Sequence, residues 1–130
     1  MVVLDTSVVI DHLRQQPGTE TLLAKINKLE GRDYLSISVI TLQELYEGQS
    51  TKNNSKLKDM LAVLSPFKIL EYNSETAKLA GEIARDSKKS IEFADAAIAA
   101  TCVFNDFKLL TINQKHFQDI SDLVLYNLVS

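Results

Sequence analysis

Short β-branched apolar runs alternate with helix-length amphipathic stretches along the chain, and this alternation restricts the fold more than any other feature. Val2–Leu4 predicts a buried strand, and Thr6 or Ser7 can cap a helix to about Gln15, stopped by Pro17-Gly18. TETLLAKINKLE (19–30) has helical periodicity, with Leu22, Leu23, Ile26 and Leu29 on one side and Gly31 at its end. YLSIS (34–38) alternates as a strand, and a helix from about Val39 to Glu47 follows, with Ser38 as cap and Gly48 as stop. Residues 52–64 predict a further helix, and FKILEY (67–72) a strand. Ser74 caps a helix to about Lys88, and a second helix runs from about Glu92 to Phe104. KLLTI (108–112) and LVLY (123–126) are the last expected strands. Strands separated by helices imply a parallel sheet covered on both faces, so the expectation is an α/β fold with about five short strands.

The 130 residues suit a single domain, 1–130, with no internal repeat or long linker. Hydrophobic residues make up 45% and charged residues 24%, ordinary for a globular chain, and a net charge of -3 announces no general affinity for nucleic acid. A local basic groove remains compatible with that balance. Cys102 is the single cysteine, which excludes an internal disulfide and suits a reducing cytoplasm. Two distant histidines and one cysteine exclude a Cys/His zinc site. The N-terminal apolar run lacks a basic leader and is broken by Asp5 and Asp11, so no signal peptide is expected. No stretch approaches the roughly 18 apolar residues of a membrane span.

In open parallel sheets the functional crevice lies outside the carboxyl ends of the strands. Asp5 stands there, inside VVLDTSVVI. A carboxylate beside a buried strand must be hydrogen-bonded, paired or bound to a metal. It can serve as a helix cap or as a ligand, with Thr6 and Ser7 adding hydroxyls. Glu44 lies in SVITLQELYEG (38–48), where its one-turn neighbours are Thr41 and Gly48, so its side of the helix is open; a solvated glutamate is the alternative. Asp95 heads a stripe with Ile98, Ala99 and Cys102. The helix dipole favours an acid in the first turn, but an inward acid also calls for a cation, and no Lys or Arg has helical spacing to it. Asn113, after KLLT, suits a turn or can offer an amide oxygen. Three carboxylates and an amide at one sheet edge suit Mg²⁺ or Mn²⁺, whose coordination is commonly completed by substrate phosphate.

These residues also fall into four ordered blocks, LDTSVVIDHLR, SVITLQELYEG, DAAIAAT and LLTINQKHF, which with the strand before the first lie within residues 2 to 117. In that pattern the chain resembles the PIN-domain ribonucleases, and among them the VapC-type toxins of toxin–antitoxin pairs. The resemblance implies a three-layer α/β/α sandwich. It implies Asp5, Glu44 and Asp95 as metal-binding acids, with Asn113 at the fourth catalytic position. It departs from the family at RDSKKSI (85–91), where Lys88 or Lys89 stands in place of a usual glycine. It further implies a small antitoxin partner and a homodimer.

The resulting expectation is metal-dependent hydrolysis of RNA by an activated water. Thr6, Ser7, Thr111 and His116 would orient water or phosphate. Arg14, Arg85, Lys88, Lys89 and Lys115 would guide the strand, each with a plain solvated charge as its alternative. Tyr46 and Phe117 are candidates for base stacking, with core packing favoured for Phe117. A haloacid-dehalogenase-type phosphatase would want a second Asp where Ser7 stands, and a receiver-type domain would want paired acids and a late lysine. The remaining rival is a PIN-like RNA- or protein-binding module with little or no catalysis.

Overall fold

The computed structural model describes residues 1–128. Strands β1 (Val2–Leu4), β2 (Leu35–Ser38), β3 (Lys68–Leu70) and β4 (Lys108–Leu110) form one sheet in the order β3-β2-β1-β4. All three pairings are parallel, with Val3 opposite Ser36 on one side and Leu109 on the other. Six helices connect and cover the strands: α1 (Thr6–Arg14), α2 (Leu22–Glu30), α3 (Val39–Glu47), α4 (Asn54–Leu64), α5 (Ser74–Asp86) and α6 (Phe93–Asn105).

Side chains of a strand alternate between its faces, and here each face has its own core. Val2, Leu4, Leu35, Ile37 and Leu110 pack with Val8 and Val9 of α1, Leu23 and Ile26 of α2, Leu45 of α3, and Met60 and Leu64 of α4. Val3, Leu70 and Leu109 pack with Ile98, Ala99 and Cys102 of α6, and with Phe117. Outside α6 lies α5, whose Ala80 meets Ala96 and Ala100. Residues Ala96 to Cys102 are all buried, so α6 is a central helix of its layer, which is why it is apolar almost all round.

The expected fifth strand is reduced to a single parallel bridge between Leu109 and Leu125. Leu109 donates to the Val124 carbonyl at 2.9 Å and accepts from the Tyr126 N–H at 2.7 Å, and among the described residues no other backbone hydrogen bond joins the segment to β4. Leu123 and Leu125 still rest on the second core, while Val124 is exposed, so the two leucines of LVLY serve packing and not pairing. Tyr34 belongs to a 3-10 turn (Arg32–Tyr34) and not to β2, and Ile112 lies beyond the end of β4. The α5 cap is Asn73, which accepts from the Thr76 N–H at 2.9 Å; Ser74 is already helical. Ser38 caps α3 as expected, accepting from the Ile40 N–H at 3.0 Å.

The chain passes from β1 outward to β2 and β3, then returns to β4 on the other side of β1. The strand order thus reverses between β1 and β4, and the carboxyl ends of those two strands flank the crevice where such sheets bind ligands. Among the described residues no helix is long and apolar enough to cross a membrane.

Candidate active site

Asp5 sits at that reversal, only 4% exposed. Its N–H donates to the Leu110 carbonyl at 2.9 Å, tying the end of β1 to β4. It occupies the cap position of α1, yet its carboxylate accepts no backbone N–H there. Instead Oδ2 accepts from Ser7 Oγ and from Thr111 Oγ1, both at 2.7 Å. Those hydroxyls are held in turn: the Asn113 N–H donates to Thr111 Oγ1 at 2.9 Å, and the Ile112 N–H approaches Ser7 Oγ at 3.4 Å. Each hydroxyl takes a backbone hydrogen and passes its own to the carboxylate, a chain in which each bond polarises the next. Among the described residues Oδ1 takes no hydrogen bond. The side-chain capping alternative is therefore overturned.

Glu44 comes from the face of α3 turned toward α1. Thr6 Oγ1 donates to its Oε1 at 2.6 Å, and Thr41 Oγ1 lies 2.9 Å from the same Thr6 oxygen. A hydroxyl has one hydrogen; with that of Thr6 on the carboxylate, Thr41 donates to Thr6. Thr41 is fully buried, and its place in the site was hidden in the i−3 spacing noted for Glu44. The Glu44 carboxyl titrates above its ordinary value because burial disfavours the charge; the Thr6 bond opposes this, and the charges of Asp5 and Asp95 add to it.

Asp95 lies in the first turn of α6, its side chain 18% exposed, at the head of the fully buried Ile98, Ala99 and Cys102. Its carboxyl is likewise raised, first by burial and then by the Asp5 charge, with His116 opposing. His116 Nδ1 stands 3.2 Å from Asp95 Oδ2. No Lys or Arg pairs with Asp95 among the described residues; an imidazole from the loop after β4 supplies a positive partner when protonated. Sequence spacing within α6 could not reveal a partner from another element.

The remaining expected residues divide sharply. Asn113 is joined to the network by its backbone alone; its side chain is exposed and forms no hydrogen bond among the described residues. Lys89, Lys115 and His116 line, with Asp95, a cavity of about 280 Å³. Arg14 ends α1, roughly 12 Å along the helix from Thr6. Arg85 grips Asp86 through two bonds of 2.8 and 2.9 Å, and Lys88 is exposed outside that cavity. Phe117 is core, 1% exposed, whereas Tyr46 is 47% exposed. Phe93, which sequence reasoning passed over, is 77% exposed and lines a second cavity of about 230 Å³ with Glu44.

Carboxylate and hydroxyl oxygens are the donors that Mg²⁺ and Mn²⁺ prefer. Among the described residues no three His, Cys, Asp or Glu side chains gather closely enough to cage an ion directly. The donor set fits an ion that takes one or two carboxylates and fills its shell with water, the habit of Mg²⁺. Cys102 adds no ligand: burial pushes its thiol far above the ordinary range, so it stays protonated.

Comparison with known proteins places the chain in a family. The PIN-domain profile matches residues 2–123. Ribonuclease VapC19 of Mycobacterium tuberculosis is 31% identical over 126 residues, covering 95% of this chain and 97% of that protein. The fold is similar to that in DNA-bound VapBC from Salmonella typhimurium, with a TM-score of 0.82 at 21% identity over 96% of each chain. It is also similar to a chain of a toxin–antitoxin complex from Klebsiella pneumoniae, with a TM-score of 0.75 at 25% identity over 98% of this chain and 100% of that one. The chain belongs to the PIN-domain family, with the VapC ribonucleases as its relatives over nearly its whole length.

Proposed function

We propose that the protein is a metal-dependent endoribonuclease and the toxin of a toxin–antitoxin pair, with residues 1–130 forming one PIN domain. One observation carries the metal-dependent part of this reading. The charge of Asp5 pushes the titration of Glu44 and Asp95 up beyond what burial does, Asp95 adds to the effect on Glu44, and among the described residues no Lys or Arg pairs with any of the three. A divalent cation relieves such repulsion, and hard oxygen donors select Mg²⁺ or Mn²⁺.

Asp5, Glu44 and Asp95 would hold the ion in this reading, one or two of them directly and the rest through its water shell. When bound, the ion lowers the pKa of a water and offsets charge developing on the phosphate and leaving oxygen. Ser7 and Thr111 keep Asp5 in one rotamer, with one oxygen engaged and the other free for the ion. Thr6, backed by Thr41, does the same for Glu44. Asn113 reaches from the crevice rim to orient a water or a phosphate oxygen. Hydrolysis forms one oxygen–phosphorus bond, breaks one ester bond, and returns a proton to the departing ribose oxygen.

The partner reading rests on relatives that are toxins in complexes with antitoxins. A small antitoxin covering the acidic crevice would restrain the enzyme, and a homodimer would be its working form.

The test is cleavage of a labelled RNA pool by antitoxin-free protein in Mn²⁺, with a chelated reaction and Asp95→Asn alongside. Metal-dependent cutting by the wild type and strongly reduced cutting by the variant is the expected result. Folded wild type that neither cuts RNA nor binds Mn²⁺ in a titration would sink this reading in favour of a non-catalytic binding module.

A further inference from the structure

We propose that Phe93 is a stacking platform for a nucleobase flanking the cleaved phosphate, and that the acids around it favour a base bearing an exocyclic amino group. This rests on the ribonuclease reading above. Phe93 opens α6 two residues before Asp95 and, at 77%, is the most exposed large hydrophobic side chain among the described residues. Single exposed apolar residues are commonplace, so exposure alone would carry nothing. Position carries it: Phe93 shares a cavity of about 230 Å³ with Ile40, Gln43, Glu44, Glu47 and Glu92, and Glu44 is one of the three site acids.

Residues two apart on a helix point about 200° apart, so Phe93 and Asp95 face different sides of the first turn of α6. On the Asp95 side lies the cavity lined by Lys89, Lys115 and His116. The two cavities flank the acids and share Glu92, but they differ in what they add: the first has Lys89, Lys115 and His116 beside Asp119, and the second has the Phe93 ring beside Glu44 and Glu47 with no lysine or arginine. A single nucleic-acid strand crossing the acids matches both. Its backbone phosphate is drawn to Lys89 and Lys115 on the first side and repelled by Glu44 and Glu47 on the second. A base has no charge to repel, and it offers a π face to the ring and N–H edges to the carboxylates. Adenine, cytosine and guanine carry amino groups there, and uracil does not. A basic peptide would match only the Phe93 side and be repelled by the lysines.

The chain contains no tryptophan, so Phe93→Trp introduces a sole indole reporter. In the Asp5→Asn background with Mg²⁺, which prevents cleavage, short oligocytidine should quench this indole saturably and oligouridine more weakly. In active protein, Phe93→Ala should raise KM for RNA roughly tenfold with kcat retained, and Phe93→Tyr should restore KM. An oligonucleotide that binds without quenching the indole, or an unchanged KM in Phe93→Ala, overturns the proposal. So does a Phe93→Ala protein that loses affinity for its antitoxin while keeping its RNA kinetics, since Phe93 then belongs to a protein interface. If the wild type cuts no RNA, the ribonuclease reading fails on that assay, and the quenching titration still judges the stacking platform.

Discussion

Asp5 and Asp95 are held in opposite ways. Asp5 is nearly inaccessible, and two hydroxyls fix one of its oxygens at 2.7 Å. Asp95 rests on one contact of 3.2 Å to His116, whose own side chain is 53% exposed. Hydroxyls orient a carboxylate without cancelling its charge, whereas an imidazole cancels charge only when protonated. The sheet thus supplies one rigid acid whose direction is set before any ion arrives. The helix end supplies an adjustable acid that can exchange a weak cation for a stronger one. Glu44 is intermediate, with one strong bond of 2.6 Å to Thr6.

The largest test of this contrast is Asp5→Asn. Losing the rigid acid should lower single-turnover RNA cleavage by about 10³-fold, several kcal/mol of transition-state stabilisation. A loss no greater than that of Asp95→Asn would show that rigidity confers no advantage.

Thr111→Val comes next, because it removes a buried bond to a carboxylate while keeping the side chain's shape. Urea unfolding should report about 2 kcal/mol less stability, and kcat/KM should fall about tenfold as Asp5 loosens. Unchanged values for both would mean that Ser7 alone fixes the carboxylate.

The third test is the pH dependence of stability. Glu44 and Asp95 titrate above their ordinary values in the folded protein. Between the ordinary carboxylate range, about pH 4, and the raised values, the folded state binds more protons than the unfolded one. Stability therefore falls as pH rises through that window, and the penalty persists at neutral pH. Thermal melts of Glu44→Gln/Asp95→Asn should lack that fall, and saturating Mn²⁺ should raise the wild-type Tm at neutral pH far more than in acid. A wild-type stability that rises through the window would reverse the sign argued here.

The smallest effect belongs to His116→Gln. Losing a half-exposed ion pair should change cleavage within about fivefold. A loss matching Asp95→Asn would give His116 a direct role at the phosphate.

Local pattern made most of the fold legible. The 2-residue alternation of the strands, the 3.6-residue spacing of the helices and the Ser38 cap are properties of neighbouring residues, and they survive folding unchanged. For the same reason Asp5 could be placed at a strand end, and Asp95 at the head of an apolar stripe. The LVLY segment misled because apolar character reports burial without saying whether a backbone finds a ladder to join. The positions of Arg14, Arg85 and Lys88 away from the cavity beside Asp95 were not legible either, since charge in a sequence does not say which cavity a side chain will line.

The contacts that make the site belong to tertiary structure alone. Thr111 reaches Asp5 across 106 positions of sequence because the pairing of Leu4 with Leu110 sets the next residues of β1 and β4 side by side. His116 meets Asp95, and Thr41 backs Thr6, through packing between elements distant in the chain. The exposure of Phe93 beside Glu44 has the same origin. Period and capping are local energies that neighbouring residues settle among themselves. Strand order and register are settled by the two cores together, and only they bring the acids, the hydroxyls and the ring to one crevice.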